Sequence, residues 1–146
     1  MIVEEQPPIN AEVSVELEAD SLAELFALAA RALCDCITRV DEVMPREARV
    51  VELEAASLDE LMLAWLRELI AVFATEGLVF SRARVAVEDG GAAGASLAGH
   101  LWGEPFDAAR QRLKRPIDSV DPVALRISRN GGRWRTRLSC WKGPVR

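Results

Sequence analysis

The stretch SLDELMLAWLRELIAVFATEGLVFSRARVAV, residues 57–87, decides the fold of this chain. Ser57 and Glu60 have the spacing of a capping box, which marks the start of a helix. Apolar residues then recur every three or four positions, and Gly77 is a typical stop because glycine readily adopts the left-handed conformation. From Leu78 the apolar period changes to two. The stretch therefore predicts an apolar helix followed directly by a strand.

The residues before this stretch follow the same plan. Apolar and polar residues alternate over 13–17, which predicts a strand with one face in water. Ser21 and Glu24 then form another capping box, ahead of an amphipathic helix that ends before Pro45. A strand over 49–55 leads into the second helix. The opening of the chain is thus strand, helix, strand, helix.

The second half of the chain keeps the two-residue period, with strands predicted at 78–87, 96–102, 123–129 and 133–141. The sequence Asn130-Gly131-Gly132 is a strong hairpin signal. The order β-α-β-α-β-β-β-β is typical of the α+β class, with two helices packed on a mainly antiparallel sheet. We expect a single domain over 1–146, with residues 1–8 as a flexible lead and residues 142–146 as a tail.

Composition places the chain among soluble globular domains. It has 146 residues, of which 50% are apolar and 28% charged. No apolar run approaches the roughly 18 to 20 residues of a membrane span, and the start MIVEEQPP lacks the basic and apolar parts of a signal peptide. Three cysteines are too few for a disulfide scaffold. We expect a cytoplasmic protein with reduced thiols and no contact with membranes.

Charge is divided unevenly along the chain. Residues 1–76 have a net charge of −12 and residues 77–146 a net charge of +7. A basic second half suits a weak contact with an anionic partner such as RNA. The alternative is a single domain with faces of opposite sign.

Groups with catalytic chemistry are scarce. His100 is the only histidine, so a Ser/His/Asp or Cys/His system would depend on that ring alone. Cys34 and Cys36 lie two apart on a helix and point in different directions, which favours small core residues over a metal site. Trp102 and Trp134 are expected in the core. We therefore expect a protein that is not an enzyme.

The last strand carries a row of arginines. Arg133, Arg135 and Arg137 alternate with apolar or small residues, so they share one face, where they could bind phosphate or carboxylate. A solvated outer face is the alternative. A second basic cluster lies in the preceding loop, at Arg110, Arg112, Lys114 and Arg115.

Two motifs within this order of elements resemble the archease family, small accessory proteins of the 3′-phosphate RNA-splicing ligase. The first, LAWLREL at 63–69 through TEGLVFS at 75–81, is similar to the family's helix-to-strand signature. The second, WGEPFD at 102–107, is similar to the family's loop entry. The resemblance spans residues 9–141 and implies the archease fold.

The resemblance also implies a function. It points to a non-enzymatic accessory protein of RNA ligation and tRNA splicing, which binds an RNA ligase of the 3′-phosphate type and favours one conformation of it. We expect the contact region to contain these residues of the present sequence: Glu12, Thr75, Glu76, Gly77, Glu104, Phe106, Asp107, Arg133, Arg135 and Arg137.

The metal site of the family is largely missing from this sequence. Family members open with His-Thr-Ala-Asp, and the matching residues here are Ile9-Asn10-Ala11-Glu12. Phe73-Ala74 replaces the His-Asp pair that precedes Thr-Glu-Gly, and the acid that ends the last strand falls at Trp141. A hard divalent cation needs several oxygen ligands. We expect no cofactor, and at most residual binding of Ca²⁺ or Mg²⁺ at Glu12.

Two other functions stay open. Loss of the metal acids fits a diverged paralogue that binds another protein, or RNA directly, without activating a ligase. A small enzyme could instead use Glu12, Glu76 or Asp107 as general acid or base. Isolated carboxylates usually face solvent, which disfavours the enzyme.

Overall fold

Both helices begin at the serine caps that the sequence predicts. The structure, a computed structural model, describes residues 13–107, 109, 111 and 119–141, with the backbone alone at 119 and 141. Helix α1 (Leu22–Ile37) is capped by Ser21, whose Oγ accepts a hydrogen bond from the Glu24 N–H at 3.1 Å. In helix α2 (Leu58–Glu76), the Ser57 Oγ accepts one from the Glu60 N–H at 3.2 Å. Gly77 ends α2 with a φ of 69°, in the left-handed region.

The strands form two antiparallel sheets, so the α+β class is confirmed and the strands are divided between two sheets instead of one. In chain order they are β1 (Val13–Ala19), β2 (Glu47–Ala55), β3 (Leu78–Asp89), β4 (Ala95–Pro105), β5 (Ser119–Val120), β6 (Ser128–Asn130) and β7 (Arg133–Trp141). The first sheet has the order β1-β7-β5, with β6 also paired to β7, and the second has the order β2-β4-β3. Short 3₁₀ helices lie at Val40–Glu42 and Gly91–Ala93.

The core is built around the two helices, each of which contacts strands of both sheets. Trp65 of α2 is fully buried, and its Nε1–H donates a hydrogen bond to the Phe26 carbonyl of α1 at 2.8 Å. Gly99 of β4 leaves room for this ring, because a Cβ there would lie 2.9 Å from the Trp65 Cη2. Trp65 therefore joins both helices to the central strand of the second sheet. None of the helices in the described ranges has the length and apolar character needed to cross a bilayer.

The predicted strand at 123–129 is wrong. A turn occupies residues 122–125, and of the predicted strand only Ser128 and Arg129 pair with β7, as part of β6. The Asp121 carboxylate accepts a hydrogen bond from the Val123 N–H at 3.0 Å, which favours a turn, and the Val123 side chain is 69% exposed. The apolar alternation that suggests a strand thus comes from a turn that buries Leu125.

Candidate functional site

The C-terminus of α2 meets the end of β4 through Gly77 and Phe106. The Gly77 carbonyl accepts a hydrogen bond from the Phe106 N–H at 2.7 Å. The rings of Phe73 and Phe106 pack edge to face, with centroids 6.3 Å apart. These contacts bring together six of the predicted contact residues, which we call the helix-end site: Thr75, Glu76, Gly77, Glu104, Phe106 and Asp107.

Three side chains of the helix-end site are exposed, namely those of Thr75, Glu76 and Asp107. The Thr75 hydroxyl donates a hydrogen bond to the Ala71 carbonyl at 2.8 Å. The Asp107 carboxylate accepts one from the Ala109 N–H at 3.0 Å. Local hydrogen bonds of this kind fix side chains at the surface without burying them.

Glu76 is held by a two-pronged ion pair with Arg49 of β2. The Arg49 Nη1 and Nη2 donate to the two carboxylate oxygens at 2.9 and 2.6 Å. This bidentate hydrogen bonding lowers the pKa of Glu76 and raises the pKa of Arg49. Glu76 is therefore a fixed negative charge at neutral pH, in an orientation set by the sheet.

Glu104 differs from its neighbours because it is buried, with only 2% of its surface exposed. Its Oε2 accepts hydrogen bonds from the Met44 N–H and from Gln111 Nε2, both at 2.8 Å, and the Arg46 guanidinium lies 3.7 Å from its Oε1. Burial removes its carboxylate from direct contact with a partner. Glu104 instead holds the segment before β2 and the turn after β4 against each other.

Gln111 is a residue of this region that the sequence did not single out. It is buried, and its Oε1 accepts a hydrogen bond from the Asp107 N–H at 2.9 Å, while its Nε2 donates to Glu104. No sequence pattern predicts such a role for a single glutamine in a basic segment. Its burial follows from contacts that only the folded chain makes.

The arginine row lies on the outer face of β7, as the alternation predicts, and it is paired with acids of β1. The Arg135 Nε and Arg133 Nε each lie 2.9 Å from a Glu18 oxygen, and the Arg137 Nη2 lies 3.6 Å from the Glu16 carboxylate. The register places Glu16 opposite Arg137 and Glu18 opposite Arg135. The acidic start and basic end of the chain thus neutralise each other on one sheet. This pairing supports the solvated outer face over an open row of phosphate donors.

No described hydrogen bond or ion pair connects the arginine row with the helix-end site. Glu12, the remaining predicted contact residue, lies outside the described residues, as does the cluster Arg110, Arg112, Lys114 and Arg115. The structure therefore brings six of the ten predicted contact residues together, in the helix-end site.

The described residues at the positions where the resemblance implies metal ligands do not fit a metal ion. Phe73 is half-buried and packs on Phe106, and Ala74 is exposed and offers no ligand atom. Within residues 13–107, 109, 111 and 119–141, no group of three or more metal-binding side chains lies close together.

The cysteines and the histidine occupy non-catalytic settings. Cys34, Cys36 and Cys140 are buried, which confirms the interpretation of Cys34 and Cys36 as small core residues. Burial raises the pKa of the Cys34 thiol to about 12, so this thiol is protonated and unreactive at neutral pH. His100 is exposed on β4, and its ring stacks with that of Trp102.

Comparison with known proteins places the chain in a family. Residues 5–139 match the model of the Archease protein family. The protein archease of Pyrococcus abyssi is 32% identical over 130 residues, which is 88% of this chain and 91% of that protein. The archease of Thermococcus gammatolerans is 33% identical over 126 residues, or 86% of this chain and 88% of that protein.

Solved structures agree with this assignment. The solution structure of protein 1598 of Methanobacterium thermoautotrophicum superposes with a TM-score of 0.76 at 25% identity, covering 90% of this chain and 93% of that one. A crystal structure from Thermotoga maritima, of an archease called a possible chaperone, shares the fold with a TM-score of 0.59 at 14% identity, covering 97% of this chain and 100% of that one. The chain belongs to the archease family.

Proposed function

We propose that this protein is a non-enzymatic accessory protein that binds and activates an RNA ligase of the 3′-phosphate type. The observation that carries the proposal is the helix-end site, which lies on the two sequence motifs that resemble the family's own. It presents Thr75, Glu76 and Asp107 to solvent around the Gly77–Phe106 hydrogen bond. The name possible chaperone, given to the T. maritima protein, agrees with an accessory role.

The chemistry of the described residues also favours an accessory protein over an enzyme. The buried cysteines offer no accessible nucleophile, and the described contacts of His100 are with Trp102 and not with a nucleophile or an acid. Glu76, a candidate general acid or base, is held ionised by Arg49. A carboxylate with a lowered pKa is a poor proton donor near neutral pH.

An accessory protein of this kind acts through the conformations of its partner. It activates the ligase only to the extent that it binds the active conformation more tightly than the inactive one. A preformed site suits this task, since little entropy is lost when ordered side chains bind. In the helix-end site Arg49 orients Glu76, and the buried Glu104 orients the turn that carries Asp107.

The direct test is guanylylation of the host's 3′-phosphate RNA ligase, and RNA joining by it, with and without this protein. We expect stimulation by the protein and a loss of at least about fivefold with Glu76→Gln/Asp107→Asn, since charged hydrogen bonds at interfaces contribute strongly. The matched control is Glu52→Gln/Glu54→Gln, which also removes two exposed acids, here from β2. A folded protein that gives no stimulation would rule out ligase activation.

Phe73 and Ala74 favour a second candidate, a diverged paralogue that binds a protein or RNA without activating a ligase. A half-buried aromatic contact stands at the position where the resemblance implies a His-Asp pair. Calorimetry with Ca²⁺, Mg²⁺ and Mn²⁺ tests the remodelled site independently of the ligase. We expect no micromolar binding, and micromolar binding abolished by Glu12→Ala would show that a metal site persists.

A further inference from the structure

The second sheet has one face packed on the helices and one face open. On the open face, two neighbouring rows of side chains form what we call the outer-face patch: Val50, Arg82, Arg84, His100 and Trp102. His100 lies between Val50 and Arg84 in the register, and Trp102 lies next to Arg82. Val50 is 59% exposed, and the side chains of both arginines and of His100 are also exposed.

Trp102 was expected in the core, and this expectation is wrong. Leu101 and Gly103 on either side of it are buried, so Trp102 points to the open face together with His100. Trp134, by contrast, packs against the core as expected. The rings of His100 and Trp102 lie 6.0 Å apart with only 20° between their planes. Aromatic rings on an open sheet can stack with the bases of a nucleic acid.

Arg82 reaches the open face because β3 contains a bulge. Phe80 pairs with Gly103 and Arg82 pairs with Trp102, which leaves Ser81 as the extra residue. Without the bulge Phe80 and Arg82 would share a face, whereas here Phe80 is buried and Arg82 is exposed. Gly103 permits the close approach, since a Cβ there would overlap the Val79 carbonyl oxygen and lie 2.7 Å from the Phe80 Cα.

Both arginines are available for a partner. Among the residues that the structure describes, neither Arg82 nor Arg84 has an ion pair or a hydrogen bond from its side chain. The arginines of β7 are instead neutralised by β1. On the same face, Glu52 lies in the row next to His100, and Glu54 and Glu88 lie one row further along, where they would repel an anion. An anionic ligand is therefore directed to the end with the aromatic rings.

We propose that the outer-face patch binds a short segment of single-stranded RNA, with bases stacked on His100 and Trp102 and phosphates at Arg82 and Arg84. Aromatic rings flanked by arginines on a sheet are the common arrangement for such binding. The patch has five side chains on three strands, far fewer than the roughly 20 to 30 residues per side of a stable protein interface. This size favours a nucleic-acid strand over a second copy of the chain. The choice of RNA rests on the proposed function.

The test measures binding of a fluorescein-labelled single-stranded RNA of about ten nucleotides by fluorescence anisotropy, with the full chain and no ligase. We expect Arg82→Gln/Arg84→Gln to weaken binding at least about tenfold and to reduce the salt slope by ~1.4. The matched control Arg39→Gln/Arg67→Gln removes two exposed arginines outside the patch and should change affinity less than about twofold. Because no ligase is present, failure here is distinct from failure of ligase activation.

Stacking is tested with two further variants. His100→Ala changes an exposed side chain, so the fold should persist, and Trp102→Leu keeps an apolar residue in the strand. Each should weaken binding by about fivefold or more, and a duplex of the same sequence should bind more weakly because its bases are already stacked. Equal affinity of all variants, equal affinity for the duplex, or a dimer of the protein that Arg82→Gln/Arg84→Gln dissociates would overturn the proposal.

Discussion

Gly103 has no room for a side chain, because backbone atoms of β3 occupy the place that a Cβ would take. An alanine Cβ would meet the Val79 carbonyl and the Phe80 Cα, which belong to β3 and cannot rotate away. We expect Gly103→Ala to lower the free energy of unfolding by about 3 kcal/mol, measured by urea unfolding. Ala98→Ser, on the exposed face of the same strand, should stay within about 0.5 kcal/mol. Equal stability of the two variants would contradict the bulge geometry.

Single residues that act on their own sequence neighbours could be predicted from the sequence. Ser21, Ser57 and Gly77 cap the helices as expected, since a cap depends on the next three or four residues. Glu104 could not be predicted as a buried group. Its hydrogen bond with Met44 joins positions 60 residues apart, and such a contact leaves no local pattern.

At the scale of elements, β1 and β7 are coupled by charge. Arg135→Glu would place three acids together at Glu18 and Asp20, where the structure has ion pairs. We expect a loss of about 1 kcal/mol in urea unfolding, because these pairs are exposed and their energies are small. The double reversal Glu18→Arg/Arg135→Glu should recover part of the loss. High salt should reduce the effect, and a salt-independent loss without recovery would point to packing instead of charge.

The alternation of polar and apolar residues along a strand predicts which face a residue occupies, but it does not predict which strand lies next to it. The arginines of β7 lie on one face, as expected, but nothing in their spacing identifies β1 as their neighbour. Register between the first and last strands depends on the whole chain. The bulge at Ser81 shows the same limit, because it shifts Arg82 to the open face without any break in the sequence pattern.

For the whole molecule, the charge of each half is a poor guide to the surface. The acids of β1 come from the acidic half and the arginines of β7 from the basic half, and the fold neutralises one with the other. Arg82 and Arg84 belong to the same basic half, yet the fold leaves them without acidic partners in the described structure. Whether an arginine is paired with an acid in the fold, more than the net charge of its half of the chain, thus decides where an anion can bind.

The three cysteines report on the integrity of the whole core. Cys34 and Cys36 lie on α1 and Cys140 on β7, and all are buried in one cluster. A thiol reagent can reach them only when the core opens. At pH 8 we expect modification of the folded protein to be at least about 100-fold slower than modification of the urea-unfolded chain. A cysteine that reacts equally fast in both states would contradict a single cooperative core.

The raised pKa of Cys34 makes the stability of the same core depend on pH. The thiol titrates at about 12 in the folded chain, against an ordinary value of 9.0. The folded state binds the Cys34 proton more tightly than the unfolded state does. The resulting contribution to the free energy of unfolding is therefore complete below pH 9.0 and is lost as the pH rises towards 12. Relative to Cys34→Ala, the protein should therefore lose stability in urea unfolding as the pH rises above 9.0. A stability difference that stays constant with pH would mean that Cys34 is accessible to water in the folded chain.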